Sequence, residues 1–212
     1  MGFGLLFLGY FFLLTLPVGE IDILPDVIGW IIMASALRGL CGFCPDNRHF
    51  SRARTLTLPG AVLSALLLIL DFVLLLDVPA IITTADTVLR LAYSAVMGVY
   101  EIFLLLGIYK LAREVELPKL SARAQRMMAV TVVYYLMQIV VYSGIPGLLP
   151  ESQAALVGAI NLAVYALGYL WLILTLALLF TCYMRICLEG DEDMPYREDL
   201  FDRVLARFKG KK

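Results

Sequence analysis

Apolar residues run through this chain in long stretches separated by short polar ones. A helix that crosses a membrane needs about 20 mostly apolar residues. Stretches near that length cover 3–17, 24–40, 58–76, 88–109, 127–148 and 154–184. The first is short. The last is long: at ~1.5 Å per residue it exceeds a ~30 Å hydrocarbon core, so it must tilt, project or break. The pattern predicts an all-α polytopic membrane protein, a six-helix transmembrane bundle over 1–188 and a tail over 189–212. The apolar start from Phe3 has no basic segment before it and no small-residue cleavage site after it. It reads as a retained first span.

The polar connections sort by charge. All but one of the 17 lysines and arginines fall on one side, in the second and fourth connections, after the sixth stretch or, for Arg38, just before the second connection. The exception is Arg90. Glu20, Asp22, Asp26, Asp77, Asp86 and Glu151 fall on the other side. Basic loops stay inside, so both termini are expected to be cytoplasmic.

The tail changes character after an acidic break at Glu189–Asp193. Leu200, Phe201, Val204, Leu205 and Phe208 then share one helical face. Such a helix lies on the lipid surface, docks a protein partner, or covers the protein's own cytoplasmic face.

Composition agrees with a bilayer as solvent. Residues of apolar or aromatic type make up 61% and charged ones 17%, with a mean hydropathy of +0.87; soluble domains are nearer 45–50% and 25%. A net charge of −1 gives no field for nucleic acid. A single histidine, His49, argues against multi-histidine metal or haem sites. Four cysteines are too few for a disulfide scaffold.

Charged groups at bilayer depth cost at least ~2.5–3.5 kcal/mol on insertion scales unless paired, protonated or facing a polar cavity. Asp71 and Glu101 fall inside predicted spans, and Arg90 at the outer end of the fourth. Arg90 and Glu101 share a helix face but lie ~16 Å apart along it, with Ser94 and Met97 between. Asp71 and Arg90 approach from the same end of adjacent antiparallel helices, so a bridge between them is expected. Glu101 then sits deeper with no basic partner, protonated or hydrogen-bonded to a tyrosine, glutamine or asparagine. Ser64 precedes Asp71 by two turns. Thr131, Tyr134 or Tyr135, Gln138 and Tyr142 form one polar stripe, and Asn161, Tyr165 and Tyr169 another. Their convergence with Asp71, Arg90 and Glu101 on one interior would make a cavity for an ion, a proton or a polar ligand. Otherwise the stripes only specify helix packing, at ~0.6 kcal/mol per interhelical hydrogen bond.

Between the first two spans lies Glu20-Ile21-Asp22-Ile23-Leu24-Pro25-Asp26-Val27-Ile28-Gly29-Trp30. Pro25 and Asp26 suit a helix start, and Trp30 suits a headgroup anchor. The segment reads as a tight acidic hairpin turn, or as a cation or headgroup contact. Its Leu-Pro-Asp-x-Ile-Gly-Trp pattern resembles uncharacterised small multi-pass membrane proteins of Firmicutes, over roughly the first fifty residues. The resemblance implies a bacterial membrane protein and carries no activity or site residues.

Cys41 and Cys44 have C-x-x-C spacing shortly before His49. They read as a redox pair, as zinc ligands with His49 or Cys187, or as ordinary small apolar residues at a membrane boundary. The chain has no P-loop, G-x-S-x-G, H-E-x-x-H or dinucleotide fingerprint, so no enzyme class and no cofactor is indicated. The leading expectation is small-solute or ion transport, or ligand binding, through a polar bundle interior. Accessory or scaffold subunit and membrane thiol oxidoreductase are the alternatives.

Overall fold

The computed structural model describes residues 2–13, 17–18, 21–22, 26–74, 81–143 and 154–186. Its elements are α1 (Gly2–Phe11), a two-residue pairing of β1 (Pro17–Val18) with β2 (Ile21–Asp22), then α2 (Asp26–Phe43), α3 (Arg48–Leu74), α4 (Ile81–Glu114), α5 (Pro118–Tyr142) and α6 (Ala154–Arg185). Five helices, α2 to α6, are long and apolar enough to cross a membrane. The expected helix over 3–17 instead ends at Phe11. Ten residues rise ~15 Å, half a hydrocarbon core.

Three of the further boundaries that differ from the hydropathy pattern share one reason. α3 starts ten residues early at Arg48, α4 runs on to Glu114, and α5 starts at Pro118 rather than 127. Charged residues near the helix ends depress hydropathy, yet each extension buries an apolar stripe: Phe50 and Ala53, Leu111 and Ala112, Leu120 and Ala124. Arg52, Lys119, Arg123 and Arg126 stay exposed. The stops are specific. At the start of α3, Asn47 Oδ1 accepts the His49 amide at 3.3 Å, while Asn47 Nδ2 donates to the Gly107 carbonyl at 2.9 Å. At the end of α4, Glu116 takes φ 53°. The Leu117 amide donates to the Ala112 carbonyl and the Glu116 amide to that of Arg113, a Schellman ending. Pro118 then opens α5, where its missing N–H has no cost.

The six helices close a ring: each packs on its neighbours in sequence, and α6 returns against α1. Lipid chains are as apolar as leucine, so close approach and polar pairing, not apolar burial, hold such helices together. α1 crosses α2 on glycine: a Cβ at Gly29 would stand 2.8 Å from the Gly9 carbonyl oxygen. Along α6, Gly4 meets Tyr183, Phe7 meets Phe180 and Tyr10 meets Trp171. The start of α1 and the end of α6 therefore lie at the same end of the bundle, the end that carries the lysines and arginines. Residues 189–212, including the expected tail helix, lie outside the described residues.

Candidate functional site

Glu101 sits at the centre of the ring with no exposed surface. It projects from α4 between α1 and α6. Tyr10 donates its hydroxyl to Glu101 Oε2, and Thr175 donates to Oε1 at 3.4 Å. Aromatic rings close the space around them. Tyr10 lies 6.5 Å from both Tyr100 and Trp171, centroid to centroid. Trp171 donates its indole N–H to Thr131 Oγ1 at 3.1 Å, which ties α6 to α5. Tyr100 donates its hydroxyl to the Met33 sulfur at 3.4 Å. Among the described residues, Arg90 and Lys110 form the ion pairs, and neither reaches Glu101. The deep carboxyl thus has uncharged partners, as its sequence position implied. Their identities were missed. Tyr10 is the single polar side chain of α1, and Thr175 follows Trp171 by one turn; those were the available signals.

Asp71 and Arg90 do form the expected bridge, Arg90 Nη2 donating to Asp71 Oδ1 at 2.6 Å. Arg90 Nε also donates to Asp86 at 2.8 and 2.9 Å, one turn back on α4. The cluster is not part of a shared interior. The side chains of Arg90, Asp71 and Asp86 are 34%, 48% and 20% exposed, at the bundle end opposite the basic one. Glu101 lies ~16 Å deeper along α4. Ser64 is buried but donates to the Ala61 carbonyl within its own helix and not to Asp71. The helix itself absorbs that hydroxyl.

Trp30 is a core residue rather than a headgroup anchor. It is fully buried, donates to Tyr93 Oη at 3.2 Å and stacks edge-on against Tyr100 at 5.0 Å. A Cβ at Gly60 would meet its ring at 2.5 Å, so only glycine admits it. Tyr93 in turn donates to Asp26 Oδ2 at 2.9 Å. The acidic start of α2 is thereby tied to α4.

Gln138 and Asn161 do not converge on Glu101. They line a separate cleft of about 480 Å³ between α5 and α6, toward the same end as Asp71. Tyr134, Tyr142, Tyr165, Leu13 and Trp171 are also in its lining. Two of these are one helical turn from the groups holding Glu101: Leu13 from Tyr10, Trp171 from Thr175.

At the basic end, Cys41, Cys44 and Cys182 are free thiols. Burial, then the charges of Glu114 and Cys41, push the Cys44 thiol above its ordinary value. A redox pair needs the opposite shift. His49 faces another polar cleft, of about 470 Å³, with Tyr109, Lys110, Arg113 and Glu114. Among the described residues no three of His, Cys, Asp and Glu gather as metal ligands, so the zinc set Cys41, Cys44 and His49 does not assemble. Cys187 lies outside the described residues.

Compared with family models, curated proteins and solved structures, the chain matches none.

Proposed function

We propose that the chain is a six-span protein of a bacterial plasma membrane, both termini cytoplasmic, that binds and carries a small polar or cationic solute. Glu101 is its acidic site, and the cleft between α5 and α6 is its approach. The observation that carries this reading is a fully buried carboxyl held by uncharged groups alone, Tyr10 and Thr175. Ionisable groups at membrane depth are rare and costly, and they commonly mark ion, proton or ligand pathways. The cleft supports it, since its lining includes Trp171 and Leu13, each within one helical turn of a group that holds Glu101. The charge asymmetry supports the orientation.

Native mass spectrometry of the intact protein in mild detergent tests the proposal. A reproducible small-mass adduct, lost in Glu101→Gln with an unchanged melting temperature, is the expected result. An adduct retained in that variant removes Glu101 from the site. A bare chain, bound only to a stoichiometric protein subunit, replaces the proposal with the accessory-subunit role.

A further inference from the structure

The α5–α6 cleft has its own chemistry. Gln138 Oε1 is buried there and accepts no hydrogen bond. A buried acceptor is normally satisfied, so this carbonyl has a hydrogen-bonding capacity that the protein leaves unused, and a small rotation of the amide would present it to the cleft that Gln138 lines. The lining contains no lysine, arginine, aspartate or glutamate. It is instead rich in aromatic rings: Tyr134, Tyr142, Tyr165 and Trp171. Tyr134 stacks on Trp171 at 5.3 Å with an interplanar angle of 18°, and it presses on Gly168, where a Cβ would stand 3.0 Å from its hydroxyl. Ring faces attract cations and repel anions. A carbonyl acceptor beside ring faces selects a group that is both a donor and positive.

Depth narrows the choice. The 32 residues of α6 extend ~48 Å, about 18 Å more than a hydrocarbon core. With Arg185 at one interface, the core ends near Val164. Asn161 and Tyr165 then lie at the headgroup level of the opposite leaflet, with Gln138 beside them. An ammonium group is at home there, from a free amine or from an ethanolamine headgroup. The volume exceeds an ammonium alone and leaves room for an apolar body.

We propose that the α5–α6 cleft is a binding site for a primary ammonium group, its N–H bonded to Gln138 Oε1 and its charge set against the tyrosine rings. The proposal names the solute class for the carrier reading above and rests on it. Its test does not involve Glu101, so the two can fail separately.

The test titrates purified protein in detergent with 2-phenylethylamine, cationic at neutral pH, and with neutral 2-phenylethanol. Calorimetry follows binding. The amine is expected to bind at least tenfold tighter than the alcohol. Gln138→Leu should weaken it about tenfold or more, and Gln138→Glu should keep or tighten it. Tyr165→Leu, at the exposed rim, is a second variant should Gln138→Leu fail to fold, and it should also weaken the amine. Equal binding of amine and alcohol, absence of amine binding, or indifference to Gln138→Leu and Tyr165→Leu overturns the site. Native mass spectrometry separates the sources. Retained phosphatidylethanolamine over phosphatidylglycerol, lost in Gln138→Leu, assigns the ammonium to a lipid; free amine binding without such retention assigns it to a solute.

Discussion

The Tyr10 hydroxyl donates to Glu101 Oε2 across 91 residues of chain. This bond joins the short first helix to the middle of α4 and gives the deep carboxyl its main partner. Thr175 supplies the second, longer one at 3.4 Å. Removing either leaves a buried acceptor unpaired, which costs about 1–3 kcal/mol. Tyr10→Phe should therefore lower the melting temperature in detergent more than Thr175→Val. The reverse order in a thermal scan would show that Tyr10 is not the principal partner.

The Arg90 cluster should behave differently. Its groups are a fifth to a half exposed, and ion pairs in such settings contribute about 0–1 kcal/mol. Asp71→Asn should change stability by less than about 1 kcal/mol, and added salt should shrink the difference further. A loss as large as that of Tyr10→Phe would place this cluster in the structural core after all.

Glycine at the α1–α2 crossing admits a sharp comparison. A Cβ at Gly29 would press on the Gly9 carbonyl oxygen, which is backbone and cannot rotate aside. Gly29→Ala should cost about 1–3 kcal/mol through overpacking. Gly39, on the same helix, has nothing within 4 Å of its would-be Cβ. Gly39→Ala should be neutral or stabilising, by up to about 1 kcal/mol. Equal melting temperatures for the two variants would contradict this crossing.

The Cys44 thiol is pushed up by burial and then by Glu114 and Cys41. Less thiolate is present at neutral pH than for an ordinary cysteine. Alkylation of Cys44 should be slow at pH 7 and climb only as pH rises beyond the ordinary thiol range near 8.5. Glu114→Gln should speed it by removing one of the raising charges. Rapid alkylation at pH 7 would reinstate the thiol oxidoreductase alternative.

Orientation has a direct assay. In a variant lacking the native cysteines, Val115→Cys, in the turn after α4, should react only from the cytoplasmic side. Ser143→Cys, after α5 at the other end, should react only from outside. Both residues are exposed turn positions. The opposite sidedness in intact cells would invert the proposed topology.

Local arithmetic along the chain determined the helical class, the five long apolar helices and the expectation that Glu101 lacks a basic partner. It also determined the Asp71–Arg90 bridge, because a short connection between antiparallel helices leaves little freedom over which ends meet. Hydropathy and helical spacing are one-dimensional properties, so they read directly from sequence. They failed first at helix ends, where Lys119 and Arg123 hid the start of α5. They failed again wherever lateral arrangement mattered. Nothing local says that α6 returns to α1, yet that closure puts Tyr10 and Thr175 on Glu101. Nor does the pattern tell an interfacial tryptophan from Trp30, which is buried because Gly60 leaves room for its ring. Gln138 and Asn161 carry the same polar signature as Thr131, but only the packing of α5 beside α6 assigns them to a cleft of their own. Partner choice in a closed ring of helices is set by packing between distant segments, so the tertiary structure alone decided it.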